Sequence, residues 1–318
     1  MNTERLSDLD RIRIRDGDDA CRKALADAAR KSRRNAAALL NAQTFTFPCF
    51  YVLLPQITSL RLAPLLNRRD TVALAVVRRI SEPAPARKDS LLWENPMAHP
   101  VLFWMVKTGS AEDGLDEDYE QIMEICISVL VHTYREKRVL PYAVGMIFER
   151  AQKGHNIHDL IWSVFRMRDP EILKLIAEHI CSENREESEL ACRLLHMEPS
   201  GGDRQKKYED FLSELEENSP FLSFTGESLQ YSSEPVVCKV DRERKYLVRE
   251  NGASSEPAGE TEGKCLECFR SLCEEDRKCL SDYSCRLHQK DAAVWKEWIK
   301  SPMEHQIETA KTKREGFK

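Results

Sequence analysis

The feature that most constrains this chain is the spacing of helix punctuation between Asn95 and Met197. Asn95-Pro96 and Asp169-Pro170 each place a capping side chain before a proline, whose missing N–H costs nothing in a first turn. Leu140-Pro141 has the proline without the cap. Asn184 is followed three residues on by Glu187, and each can bond the other's exposed backbone N–H as in a capping box. Asp116 precedes an acidic first turn, Glu117-Asp118, suited to the positive end of a helix. Stops fall at Gly109, at Gly154 and after Met197, in Pro199-Ser-Gly-Gly. The marks predict six helices in succession, the body around which the rest is arranged.

Between the marks, apolar residues recur at three and four. Ile122, Ile125, Val129 and His132 share a face in the second helix. Ile172, Leu175, Ile176 and His179 do so in the fifth, and Leu190, Leu194 and Leu195 in the sixth. The starts near 141, 156, 169 and 184 lie about fourteen residues apart, which leaves short loops and forces antiparallel neighbours. Stacked antiparallel pairs are how α-solenoids are built, and an irregular helical bundle is the competing arrangement. The run DPEILKLIAEHICSENREESELACRLLHM, Asp169 to Met197, resembles a divergent HEAT-type helical repeat. The resemblance covers roughly the central third of the chain at the level of pattern and implies a surface for protein partners.

A chain of 318 residues has room for one large domain or two to three small ones, and 42% hydrophobic residues suffice for a core. Only 12 glycines are present, and GxGxxG, GxxxxGK followed by Ser or Thr, and GxSxG are all missing, which disfavours phosphate-cradling and nucleophile-elbow folds. The net charge of −5 hides an asymmetry. Residues 1–88 hold 17 Lys plus Arg against 9 Asp plus Glu, and the remainder holds 31 against 44. An Arg-rich arm on an acidic body suits nucleic acid, an acidic partner or the body itself, while the acidic body favours a basic partner. The N-terminus leads into charge rather than an apolar run, so no signal peptide is expected. The most apolar stretch, Phe45 to Leu66, carries Gln56, Arg61 and three prolines, so no membrane span is expected. A cytoplasmic location with 11 reduced cysteines follows as the expectation.

Four regions are expected. Residues 1–88 read as an Arg-rich helical region and linker. Ala20, Ala24, Ala28 and 36–40 give a thin apolar stripe, and alternating Phe45, Phe47, Cys49 and Tyr51 suggest an extended segment. A short helix over 67–81 has Val72, Ala75, Val76 and Ile80 inward and arginine pairs at 68–69 and 78–79 outward, before the linker Pro83-Ala-Pro85-Ala. Residues 89–200 are the repeat body. Residues 201–263 hold a short helix over Tyr208–Leu215, an extended segment with Val236, Val237, Val240, Tyr246, Leu247 and Val248, and a linker of disordered composition over 251–263. Residues 264–318 are helical again, with capping boxes at Ser271/Glu274 and Ser301-Pro302/Glu304, and with at least one of Trp295 and Trp298 in the core. The expected class is mainly α: a solenoid-like stack of antiparallel helix pairs, a short irregular or β excursion and a C-terminal helical cap.

Candidate chemistry centres on CLECFRSLCEEDRKCLSDYSCRLH. A CxxC brings two thiolates to one metal, and zinc takes four ligands in a tetrahedron. Cys273 and Cys279 on one helix stand about 240° apart round its axis, so they do not share an ion. Cys285 and His288 meeting Cys265 and Cys268 is the geometry available for zinc or an iron–sulfur centre; inert thiols on an ordinary helix are the alternative. His132, His155-Asn-Ile-His158-Asp159 and Asp169 form an order of His, His-Asp and Asp that is similar to the ligand order of HD-type metal phosphohydrolases, which implies metal-activated water. Capping explains Asn156, Asp159 and Asp169 without a metal. His179 and Cys181 diverge by about 200° on a helix and do not pair for nucleophilic catalysis. Arg30, Lys31, Arg33 and Arg34 are the basic cluster that could contact phosphates, with a solvated helix face as the alternative. The leading expectation is a non-catalytic protein–protein interaction scaffold without a cofactor. A metal module with a nucleic-acid-contacting arm, and a phosphohydrolase, are the other two readings.

Overall fold

The computed structural model describes residues 6–81, 93–198, 203–227, 231, 236–249 and 260–314. The chain is mainly helical, with one two-stranded sheet among the described residues. It divides into two compact units, Met1–Ser200 with Ser228–Ser233 and Gly201–Glu227 with Glu234–Lys318. No described helix is long and apolar enough to cross a membrane.

The first unit opens with three helices, α1 (Asp8–Asp16), α2 (Asp18–Lys31) and α3 (Arg33–Leu40). Ser7 caps α1 by accepting from the Asp10 N–H, and Ser32 caps α3 by accepting from Arg34. Gly17, at φ 90°, makes the corner between α1 and α2 in a region open to glycine. α4 (Phe47–Val52), α5 (Leu54–Ser59) and α6 (Arg68–Ser81) follow. The alternating apolar residues from Phe45 are therefore helical, not extended. Pro48 fixes the first turn of α4, and Phe45, Phe47, Cys49 and Phe50 are all buried, so the alternation reflected burial on more than one side.

The second half of this unit is α7 (Ala98–Gly109), α8 (Glu117–His132), α9 (Leu140–Lys153), α10 (His158–Phe165), α11 (Glu171–Glu178) and α12 (Arg185–Leu194). Asp116 caps α8 through the Tyr119 N–H, Pro141 lies in the first turn of α9, and Gly154 ends α9 at φ 72°. Asn184 accepts from the N–H groups of Glu186 and Glu187. The Glu187 carboxylate turns instead to His179 and to Gln152. Chain neighbours pack in pairs, α7 with α8, α9 with α10 and α11 with α12, and helices two apart also meet, α8 with α10 and α9 with α11. The buried stripe of α8 runs through Tyr119, Ile122, Met123, Cys126, Ile127 and Leu130, which leaves Ile125 and Val129 half-buried.

The linker expected at Pro83–Pro85 lies outside the described residues, and the helices on either side of it pack together, α6 against α7 and α8. Arg69 turns inward to pair with the buried Asp70 at 2.7 Å and lies 4.4 Å over the Trp104 ring. Arg13, on α1, is buried and pairs with Glu112, so the Arg-rich region docks on the body through that contact.

The second unit contains α13 (Arg204–Asn218), strands β1 (Leu222–Phe224) and β2 (Cys238–Val240), α14 (Arg242–Tyr246), α15 (Glu260–Ser271), α16 (Glu274–Lys290), α17 (Ala292–Trp298) and α18 (Met303–Arg314). The strands are antiparallel, with Ser223 opposite Lys239. Tyr246, expected in an extended run, ends a helix capped by Asp241, while Leu247 and Val248 form the turn after it. Most of the linker stretch 251–263 lies outside the described residues, which resume at Glu260 with α15. Ser271 does not cap α16. It closes α15, its hydroxyl donating to the Cys268 carbonyl at 2.6 Å, and Cys273 takes the cap position. Ser301 likewise donates back to the Trp298 carbonyl. Tyr246, Leu266, Phe269, Leu280, Tyr283 and Trp298 form the core of this unit.

Candidate binding groove

The sequence-predicted sites stand apart from one another. Cys265 is half-buried, its Sγ 3.8 Å from the Ile299 carbonyl, and Cys268 is exposed. Cys285 is buried and accepts from Gln289 at 3.7 Å, while the His288 ring stands edge-on to Trp295. Burial pushes the Cys285 thiol up, the opposite of what a metal thiolate needs. Among the described residues no group of three or more His, Cys, Asp or Glu side chains is placed to hold one metal ion. The HD-like order is also dispersed. His132 stands edge-on to Trp162, His155 bonds Glu120 at 2.6 Å, His158 opens α10 with its N–H on Asn156, and Asp169 pairs with Lys137 at 2.6 Å.

The carboxylates near His155 converge on Arg150 instead. That guanidinium is buried and donates to Asp113 at 2.6 Å, Glu124 at 3.1 Å and the Glu120 carbonyl at 2.8 Å. Burial pushes Glu124 up to about 6, against the pull of Arg150. Of the basic cluster, Arg30 pairs with Asp27 and Arg33 donates to the Arg61 carbonyl, and all four side chains are exposed.

A groove that the sequence reading did not single out lies in the second unit, between α16, α17 and α18. Two cavities of about 550 and 590 Å³ share Tyr283, Leu287 and Lys313 as walls. Four-residue spacing builds both sides, because residues four apart stack on one helix face. On α16, Tyr283 and Leu287 present apolar surface and Arg286 and Lys290 present cations. On α18, His305, Thr309 and Lys313 run along the opposite wall. Val294, at the α17 edge, is 52% exposed, an apolar side chain left facing solvent at the rim.

Trp298 lines this groove and carries its most specific feature. The residue is 7% exposed, yet its indole N–H has no hydrogen-bond partner. The neighbouring Trp295 N–H, by contrast, donates to Ser284 Oγ at 2.7 Å. A buried donor left unpaired costs roughly 1–3 kcal/mol, which an acceptor would relieve if it reached the almost wholly covered Nε1.

The charge of the rim follows from a second arrangement. Lys245 is fully buried, and its Nζ lies 2.6 Å from Asp282, 2.8 Å from the Asn218 amide oxygen and 3.3 Å from Glu217. Asp282, one turn before Arg286, is therefore occupied by Lys245 and Arg242. Arg286, whose Nε lies 3.8 Å from Glu217, lines the groove with Lys290 and Lys313 as cations, and Glu297 lines it as an anion.

No family model matches this chain, and neither does any curated protein or solved structure with which it was compared.

The spacing of Arg286 and Lys290, and of His305, Thr309 and Lys313, was present in the sequence but is ordinary for exposed helix faces. The unpaired indole N–H depends on where α16 and α18 lie, and nothing in the local sequence signals it.

Proposed function

We propose that this chain is a non-catalytic protein-interaction scaffold, and that the groove of the second unit receives a short apolar segment of a partner protein bearing carboxylates. The observation that carries the reading is the unpaired N–H of Trp298 in an apolar groove rimmed by Arg286, Lys290 and Lys313. An apolar side chain would cover Leu287 and Val294, an acceptor would meet the indole N–H, and carboxylates would meet the rim. The acidic balance of residues 89–318 argued for a basic partner. The local charge at this groove has the opposite sign, and local charge decides what docks within a Debye length.

The pairing of α8 with α10 and of α9 with α11 supports the further reading of the first unit as a HEAT-type stack, which would add a second partner surface. A scaffold with two docking surfaces joins partners without chemistry of its own. The protein's location in the cell is proposed to be cytoplasmic, where its cysteines stay reduced.

The test is a titration of the full chain, carrying ¹⁵N-labelled tryptophan, with two synthetic peptides of equal length. One alternates leucine with aspartate and the other alternates leucine with lysine. Saturable movement of the Trp298 indole resonance by the acidic peptide alone, weakened at least tenfold by Lys313→Glu, is the expected result. Equal movement by both peptides, or by neither, removes this reading.

A further inference from the structure

Eleven cysteines are present, and two of them lie together in the interior of the first unit. Cys21 on α2 and Cys49 on α4 are both fully buried, and their sulfurs are 3.6 Å apart. That is van der Waals contact for two thiols. A disulfide requires about 2.05 Å, so the two sulfurs would have to close by about 1.5 Å. The two residues are 28 positions apart, so their bond would staple α2 to α4 across a loop of that length.

The surroundings distinguish the two sulfurs. Either thiol can donate to the other, and the nearby Arg13 guanidinium favours a thiolate at Cys21. Together these hold the Cys21 thiol below its usual range against the opposing effect of burial. The same hydrogen bond, together with burial, holds Cys49 as the thiol. Arg13 is fixed in turn by Glu112 and Asp18, and the carboxylates of Asp10 and Asp18 oppose a thiolate at Cys21. The Cys21 sulfur also lies 3.5 Å from the Leu9 carbonyl of α1, so α1 covers the site.

The geometry points to Cys21 and Cys49 as a reversible dithiol–disulfide site, oxidised by a small hydroperoxide that reaches the buried pair. The Cys21 thiolate attacks one oxygen of the hydroperoxide, and the O–O bond breaks. The departing alkoxide or hydroxide takes a proton and leaves as alcohol or water, and Cys21 becomes a sulfenic acid. Cys49 then loses its proton and attacks the Cys21 sulfur. The S–O bond breaks, the S–S bond forms, and the hydroxyl leaves with that proton as water. Two thiols and one hydroperoxide thus give one disulfide, one alcohol or water from the hydroperoxide, and one further water. A dithiol reductant reverses the oxidation by exchange.

The test uses the full chain with Cys181, Cys268 and Cys273, the exposed thiols, replaced by serine so that they do not compete or exchange. The protein is treated with one equivalent of hydrogen peroxide, unfolded, alkylated and digested without reductant. The expected product is a peptide pair joined through Cys21 and Cys49, lighter by two hydrogens, that dithiothreitol separates. In Cys49→Ser the expected product is a Cys21 sulfenic acid trapped by dimedone. If that variant fails to fold, the joined peptide in the parent still decides the matter. Both cysteines alkylating freely after peroxide, or a disulfide joining either one to a different cysteine, overturns the proposal.

Discussion

Arg150 and Asp113, 37 positions apart, meet through two hydrogen bonds at 2.6 and 3.2 Å, and their side chains are almost wholly removed from water. The pair ties the end of α9 to the loop before α8, and Glu124 and the Glu120 carbonyl complete the shell around the guanidinium. A buried charge with its partners in place is tolerated; the same charge with a partner removed is not.

Arg150→Met should therefore destabilise the first unit by about 3–5 kcal/mol, because Asp113 would stay buried without its cation. Asp113→Asn should cost less, since the amide still accepts from Arg150. Urea unfolding followed by hydrogen exchange at the α9 amides checks both. A loss under about 1 kcal/mol for Arg150→Met would show the pair to be dispensable.

Glu124 gives a pH dependence whose sign is fixed. Burial raises its folded pKa to about 6 from an ordinary carboxyl value near 4.5. The folded state holds the extra proton between those values, so the contribution is full below pH about 4.5 and is lost as pH rises through about 6. Glu124→Gln should flatten stability against pH across that window. The difference in melting temperature between variant and parent, measured from pH 4 to 7, should move in favour of the variant as pH rises.

Gly109 is required by close approach, not by its backbone angle. A Cβ there would lie 2.5 Å from the Tyr119 hydroxyl and 3.1 Å from Met123 Sδ, while that hydroxyl donates to the Gly109 carbonyl at 3.0 Å. Gly109→Ala should cost about 1–3 kcal/mol through overpacking, despite the better helix propensity of alanine. Removing the obstruction, as Gly109→Ala with Tyr119→Phe, should recover part of the loss in a thermal melt.

The two tryptophans of α17 should respond differently to the loss of their N–H. Trp295→Phe breaks a bond to Ser284 and leaves that buried hydroxyl with one partner fewer, for a cost of about 1 kcal/mol or more. Trp298→Phe removes a donor that has no partner, so its cost should come only from the lost part of a ring packed against Tyr246 and Tyr283, about 1–2 kcal/mol, with no hydrogen-bond loss added. Binding of the acidic peptide should fall as well. A destabilisation above that range would argue that more of the packing depends on the indole ring.

Much of the helical order was readable because its causes are local. Asp116, Pro141, Gly154 and Asn184 act within a turn of their own position, and the helices begin or end beside each of them. Phe45 to Tyr51 misled because alternation marks a strand only where one face is buried, and here nearly every position is. Ser271 misled because a serine with a glutamate three residues on also fits the end of a preceding helix, where its hydroxyl turned back to Cys268. The inward stripe of α8 was displaced by one position because tertiary packing selected Met123 and Cys126 over Ile125. The groove and the dithiol were illegible for a different reason. Cys21 with Cys49, Lys245 with Asp282, and Trp298 with Lys313 are meetings of distant segments, and no spacing within a helix encodes them.

The bond between Lys245 and Asp282 bears on how the groove would work. It clamps α16 one turn before Arg286, with Asn218 and Glu217 completing the clamp. A wall held in this way already has its shape before a guest arrives, so little configurational freedom is left to lose on occupation. Association there should resemble a key entering a fixed lock, with encounter rates set by salt-sensitive steering at the rim and differences among guests appearing mainly in how slowly they leave.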